Sequence, residues 1–390
     1  MRLSITQKTL LTMLGVAIPS LLLYSAVVIH SRSAVLRENI SRQLEKLAIL
    51  SVQAAEDLVS ASKTTARAVA TSQEVQRLAE LLERQPVDMS LLESRLSSLE
   101  RSFLDFQRLD PSLQAIRFID PQGFVLAKVR EGNVIPRNKQ FKDGPPWAVV
   151  SSKAGRDFFR HALALKPGQV WISNLERGWM EEEGYWCPAM VRFATPVFSA
   201  ENTLAGVVVI NVWGEAVGRM INRLILPEEG SAFLVERNLA DPDRNGIYLF
   251  HPSENCEFGN QTGTRITVFD HYPPSVTASW LHEEQGIHRL SGTDDILVHR
   301  FFSPYNDPER GWVIVVNAKG DFYLAPMAAM KRRVLFASVA VFLFAILAAA
   351  LFSKTLTRPI QAVIQGTHRL SKDLSQRITL KSSDEMGLLA

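Results

Sequence analysis

Two stretches of the chain carry no charge and are apolar on every side, Thr9 to Ile29 and Val334 to Phe352. Each is long enough to cross a hydrocarbon core of about 30 Å as a helix, and the Pro19 inside the first is tolerated in a membrane helix. A buried soluble helix would rarely be apolar on all faces over such a length. The first stretch exceeds the apolar run of a cleaved secretion signal, about 7–15 residues, and no small-x-small site follows it, so it is expected to remain as an anchor. About 300 residues lie between the two, a domain-sized insert.

After the first span the period changes to three and four. Leu36, Ile40, Leu44, Leu47, Leu50, Ala54, Leu58, Ala61, Ala66 and Val69 predict one long helix from Ser33 to about Leu82, continuous with the span. A second helix is predicted from a capping box of Ser90 and Glu93, with Leu92, Leu96, Leu99, Phe103 and Phe106 on its apolar face. From Leu113 the pattern is that of strands. "LQAIRFI" and "FVLAKV" flank a turn at Asp120-Pro121-Gln122-Gly123; the helix "GRDFFRHALAL" precedes the strand "QVWIS"; "MVRFATPVF" and "LAGVVVINV" follow. The second half repeats this grammar. "SAFLVE" and "GIYLFHP" flank a turn-rich segment, and "ILVHRFFSPYNDPERGWVIVVNA" mirrors "MVRFATPVFSAENTLAGVVVINV". Arg192-Phe193 matches Arg300-Phe301, and Asn211 matches Asn317. The expected fold class is α+β: two antiparallel sheets, each covered on one face by helix, with one long helix spanning both.

Composition narrows this only slightly. The 390 residues are 46% hydrophobic and 21% charged, with net charge +3. No basic stripe with interleaved aromatics appears, so nucleic acid is not an expected partner. Cys187 and Cys256 leave open either one disulfide or two buried thiols. Lys and Arg flank both spans on both sides, so charge does not orient them.

Catalytic and metal readings find little support. His368 lies in no phospho-accepting histidine box. His282, Glu283, Glu284 and His288 lack helical metal-ligand spacing and read as a surface loop. Glu181-Glu182-Glu183 reads as a solvated loop. Phosphate cradles and nucleophile elbows are absent. No catalytic domain, cofactor or metal is expected.

The long helix, the two strand-rich modules, "DFFRHALALKPGQVWIS" and "YLFHP" together resemble a double Cache (PAS-like) extracytoplasmic sensor. After the second span, "TLTRPIQAVIQGTHRLSKDLSQRITLKSSDEMGLLA" resembles a HAMP domain, a parallel coiled-coil relay. Pro359 matches the family's proline at the head of the first helix, and Glu385 and Gly387 match its acidic-x-Gly signature; Lys372 stands where the family often has Gly. The resemblances imply a bacterial inner-membrane, multi-pass receptor. They place a cytoplasmic N-terminus at residues 1–8, spans at 9–30 and 334–353, a periplasmic sensor at 31–333 and HAMP at 354–390. The sensor divides into a membrane-distal module, about 86–220, and a membrane-proximal one, about 228–320.

The sensor resemblance also points to a pocket in the distal module, formed by Trp147, Arg156, Phe158, Phe159, Trp171, Ser173, Tyr185, Arg192 and Asn211. Arg156 or Arg192 would pair with a carboxylate. Asn211 stands where amino-acid-binding relatives have an Asp that holds the amine, so a carboxylate without an amine suits the residues. The expected partners are this ligand, the lipid bilayer, a second copy of the chain and a cytoplasmic output module. Histidine kinase, chemoreceptor and diguanylate cyclase outputs all fit. The competing expectation is a membrane-anchored extracytoplasmic enzyme or binding protein.

Overall fold

The computed structural model describes residues 5–84, 87–137, 149, 152–180, 185–222, 230–352 and 364. It divides into two compact units, Met1–Asn39 with Asp321–Ala390, and Ile40–Gly320.

In the first unit, helix α1 (Ile5–Ala70) begins and the last described helix ends. Both are long and apolar enough to cross a membrane. Leu22, Leu23 and Tyr24 on the one, and Phe336 and Phe344 on the other, are about two-thirds exposed, a surface that needs an apolar surrounding. The Oγ atoms of Ser25 and Ser338 lie 3.2 Å apart, a hydrogen bond between the two helices.

In the second unit, α1 continues to Ala70, and α2 (Gln73–Glu83) follows after a break at Thr71 and Ser72. The sequence predicts one helix here. The break arises where the Thr71 and Ser72 hydroxyls turn back on the Arg67 and Val69 carbonyls, a local competition that such side chains offer the helix. The Gln76 side chain then caps the Ala70 carbonyl. The buried stripe of α1 is also rotated from the expected one. It consists of Leu44, Ala48, Ser51, Ala55, Val59, Ser62, Ala66 and Val69, whereas Leu50 is 54% exposed. Small residues let neighbouring backbone approach, and the larger leucines fall outside the contact. The third helix, α3 (Met89–Leu109), is capped by Asp88, whose carboxylate accepts from the Ser90 and Leu91 amides. The predicted Ser90–Glu93 box is thereby displaced two residues, because Asp88 reaches the same orphan amides first.

The distal sheet follows: β1 (Leu113–Ile119), β2 (Val125–Arg130), β3 (Asn133–Val134), helix α4 (Asp157–Leu163), β4 (Trp171–Ile172), β5 (Glu176–Met180), β6 (Tyr185–Phe198) and β7 (Leu204–Trp213). Helix α5 (Gly214–Asn222) leads to the proximal module. There β8 (Gly230–Asn238) and β9 (Tyr248–Phe250) precede the short helices α6 (Gly259–Thr262), α7 (Val268–His271) and α8 (Pro274–His282). Strands β10 (Gln285–Arg289), β11 (Ile296–Asp307) and β12 (Arg310–Ala318) complete it, and α9 (Gly320–Phe352) leaves.

The strand orders are β3-β2-β1-β7-β6-β4, with β5 also on β6, and β10-β11-β12-β8-β9. Reversed, the second reads as the first: opening hairpin, closing hairpin, edge. The repeat legible in the sequence is thus a repeat of topology, but not of register. Arg192 pairs with Asn211, while Arg300 pairs with Ile314 and Asn317 with Leu297.

The proximal interior is filled by Phe233, Tyr248, Trp280, Val313 and Val315. Rings there meet edge-on, as Phe233 does with Tyr248 and Trp280. Each fully buried large side chain contributes roughly 1.5–3 kcal/mol. In the distal module, Phe158, Phe159 and Ala162 of α4 pack on Ile119, Val125, Ala194, Val207 and Val209. A glycine fixes this placement. Gly123 closes the β1–β2 turn at φ +92°, and a Cβ there would lie 2.6 Å from the Ala154 amide. The close approach lets the Lys153 amide donate to the Gly123 carbonyl just ahead of α4.

Candidate functional site

The face of the distal sheet under α4 is apolar at one end and basic at the other. Strand alternation puts Ala115, Arg117 and Ile119 on one side of β1. Arg117 lies opposite Lys128 on β2 and Val209 on β7; one step along, Asn211 lies opposite Arg192. Four basic side chains, Arg117, Lys128, Arg130 and Arg192, therefore share one sheet surface, and Phe158 covers part of it. The guanidinium carbons of Arg117 and Arg192 lie 5.7 and 5.8 Å from the Phe158 ring centre.

Arg117 is 9% exposed. Its Nη2 donates to Asn211 Oδ1 at 2.9 Å, and its Nε has no hydrogen-bond partner among the described residues. Burial, then the charges of Arg192 and Arg156, push it down to about 9. Burial, followed by the charges of Arg117, Arg130 and Lys153, pushes the Lys128 ammonium down to about 7. Buried cations facing one another without a carboxylate are costly. Arg192 is different, since its Nη1 donates to Glu176 Oε1 at 2.6 Å.

Beside this patch opens a cleft of about 610 Å³, within the range of small-molecule sites. Arg156 and Phe158 line it from α4 and the residue before it, Trp171 and Ser173 from β4 and its end, and Arg192 from β6. His161 stacks on Trp171 at 5.1 Å, forming an aromatic wall. The Ser173 hydroxyl accepts from the Arg192 amide and donates to the Asn174 carbonyl. The structure thus brings together Arg156, Phe158, Trp171, Ser173 and Arg192.

It does not bring in Phe159, which is buried in the core between α4 and the sheet; Phe158 belongs to the same core cluster but also reaches the cleft, as successive helix residues point about 100° apart. Nor does Asn211 line the cleft. Its oxygen is engaged by Arg117 and its amide nitrogen donates to Gln114 Oε1 and Met190 Sδ. Trp147 lies outside the described residues, as do the Tyr185 side chain, Glu181–Glu183, and Pro359, Glu385 and Gly387. Cys187 and Cys256 are both buried free thiols.

Sequence reasoning missed Arg117 and Lys128. Their signal was a charge at an inward position of an otherwise apolar strand. It also missed that the proximal module closes the cleft. Asn238, Gln261 and Arg310 line it. Residues 173–178 form a strap clamped from that side. The Gln261 amide pairs with both backbone groups of Arg177 at 2.9 Å, and Arg244 donates to the Leu175 carbonyl while held by Glu236. Arg310 Nε donates to Asn174 Oδ1. No local pattern announces contacts made over such sequence distances.

Residues 351–390 match the HAMP domain family. Together with the fold, this gives the order of parts: two sheet modules of double Cache-like fold between two membrane-length helices, followed by a segment that matches HAMP. One similar protein is the methyl-accepting chemotaxis protein McpC of Bacillus subtilis (strain 168), 26% identical over 201 residues, which are 51% of this chain and 27% of McpC. The chain thus matches only about a quarter of that relative's length. The extracellular domain assigned to a histidine kinase superposes with TM-score 0.56 at 16% identity, covering 74% of this chain and 98% of that one. A domain of a sensory box/GGDEF family protein from Vibrio parahaemolyticus also gives TM-score 0.56 at 16% identity, covering 73% and 98%. At that identity the likeness concerns the fold.

Proposed function

We infer that this chain is a transmembrane signalling receptor whose distal module binds a small carboxylate without an amine. The observation that carries the reading is the excess of positive charge at buried Arg117 and half-buried Lys128. Arg117 and Lys128 face each other with no carboxylate between them among the described residues, and Arg192 beside them is balanced by Glu176 alone. An anion would relieve that repulsion. The Asn211 oxygen, at the position where an amine-holding Asp would stand, receives Arg117 instead.

The pocket consists of Arg156, Phe158, Trp171, Ser173 and Arg192, and Trp147 and Tyr185 are proposed as further ligand contacts. The sensor faces the periplasm, the N-terminus and HAMP the cytoplasm, and the chain sits in the inner membrane as a homodimer, since a HAMP coiled coil needs two copies. Ligand draws the strap and the distal sheet together and shifts them against α1, and α1 and α9 carry the shift to HAMP. Pro359, Glu385 and Gly387 belong to the relay, and a cytoplasmic output module receives it. Ligand moves the balance only by its different affinity for the two states. McpC being a chemotaxis protein supports a taxis-type output.

The test is calorimetry on the full chain in lipid nanodiscs with small carboxylates, and Arg156→Ala as control. Binding that weakens about tenfold or more in the variant supports the pocket. Carboxylates that bind equally well without Arg156 would remove it. Cysteines along the first span report the relay: crosslinking between copies that does not change with ligand counts against it.

A further inference from the structure

We propose that the chain binds anionic phospholipid headgroups through a band of cations, Arg32 of α1 with Lys331, Arg332 and Arg333 of α9, at the ends of the spans that lead into the sensor. This rests on the reading of the two apolar stretches as membrane spans. The lipid contact itself does not depend on which side the sensor faces.

The two helices bring these residues to one level. The sensor lies between the spans in the chain, so the helices cross the membrane in opposite directions, and the Ser25–Ser338 hydrogen bond sets their register. Arg32 lies seven residues past Ser25, and Lys331 lies seven before Ser338, about 10 Å along each axis on the same side of that bond. Arg332 and Arg333 follow within the next turn. The apolar stretches end at Ile29 and resume at Val334. Arg32 is thus about 4.5 Å beyond the end of the first, and Arg333 about 1.5 Å before the second, which is headgroup depth.

All four residues are exposed, and none makes an ion pair among the described residues. The protein supplies no counter-charge at that level. There is no Asp or Glu before Glu38, and none between Phe322 and Phe352. Glu38 is about 9 Å further along α1 than Arg32, and Asp321 about 15 Å from Lys331 along α9. On the orientation given above, these cations also run against the usual cytoplasmic bias of Lys and Arg, so charge sorting during insertion does not account for them. Lipid phosphates are the anions found at this depth. Three of the four cations are arginines, whose paired donors suit a phosphate. A phosphate held between Arg32 and the Lys331–Arg333 run ties the depth of one span to that of the other.

The experiment places the full chain in nanodiscs of phosphatidylcholine mixed with phosphatidylglycerol. Electron paramagnetic resonance then compares spin-labelled phosphatidylglycerol with spin-labelled phosphatidylcholine, reading the fraction of each that the protein surface holds. The expected result is phosphatidylglycerol favoured about fivefold or more, which is what a basic residue at a charged lipid surface supplies, and less so at high salt. Arg32→Gln combined with Lys331→Gln, Arg332→Gln and Arg333→Gln should bring the two lipids to near equality. Arg332→Lys with Arg333→Lys should keep most of the preference, which separates lost charge from lost folding. Arg2→Gln with Lys8→Gln, at the other end of the first span, should keep it too. Equal association of both lipids with the parent chain would overturn the lipid site and leave the spans standing, as would a preference that the fourfold variant retains. Protein recovered outside the discs would overturn the spans and the site together.

Discussion

Arg310 on β12 donates through Nε to Asn174 Oδ1 at 3.1 Å, joining the proximal module to the strap that edges the distal cleft. The same guanidinium stacks on Tyr305, 3.9 Å from the ring centre, so its position is fixed on its own side. We predict that Arg310→Gln raises hydrogen exchange across residues 174–178 and lowers stability by about 1–3 kcal/mol, the cost of breaking a charged hydrogen bond. Hydrogen-exchange mass spectrometry and urea titration would measure this. Unchanged exchange would mean that Arg244 and Gln261 hold the strap unaided.

Glu176 is the carboxylate bound to Arg192, whose side chain is 7% exposed. Glu176→Gln leaves that guanidinium buried without its counter-charge. The expected result is a loss of about 3 kcal/mol in the ligand-free protein. Added carboxylate should restore much of it, more than it stabilises the parent. Thermal melts with and without succinate decide the matter. Equal stabilisation of both would show that Arg192 lies outside the ligand's reach.

What the sequence reveals here follows the range of the interactions. Strand and helix identities are set by local periodicity, and β1, α4, β6 and β7 lie where the pattern puts them. The repeat survives as strand order, yet Asn317 does not face Arg300 as Asn211 faces Arg192, because the β11–β12 register shifts between Phe302 and Asp307. Ser90 lost the helix cap to Asp88 by two positions, a choice between chemically equal candidates. Half of the cleft was legible as aromatic and arginine positions around α4. The other half depends on which strands become neighbours: nothing near Lys128 in the chain specifies that it will face Arg117, and nothing near Asn174 specifies Arg310.

Lys128 gives the binding reaction a pH signature. With its ammonium pushed down to about 7 by burial and by Arg117, it is partly neutral in the free protein at physiological pH. An anion favours the charged form, so binding takes up a proton, and affinity falls as pH rises above about 7. Calorimetry in two buffers of different ionisation enthalpy should show proton uptake near pH 7.5. Lys128→Arg, charged throughout, should abolish it. Uptake that persists in this variant would assign the proton elsewhere.

His299 makes the proximal module acid-sensitive. It is fully buried on β11 and stacks on His288 of β10, their ring centres 5.4 Å apart. Neither of its ring nitrogens has a side-chain partner, and burial, reinforced by His288, pushes it from 6.5 down to about 4. Glu283, at the end of α8, opposes this, and Glu45 of α1 and Arg300 share the adjoining cavity. Because the folded value lies below the unfolded one, the unfolded chain takes up a proton between about pH 6.5 and 4 that the folded chain refuses. The stability that His299 contributes by staying neutral is therefore complete above about pH 6.5. It declines as pH falls toward 4, by on the order of 3 kcal/mol. His288, also lowered by burial, adds in the same direction. Urea titrations at pH 7.5 and 5 should show the loss, and His299→Leu should flatten it. A slope unchanged in that variant would place the acid sensitivity in other groups.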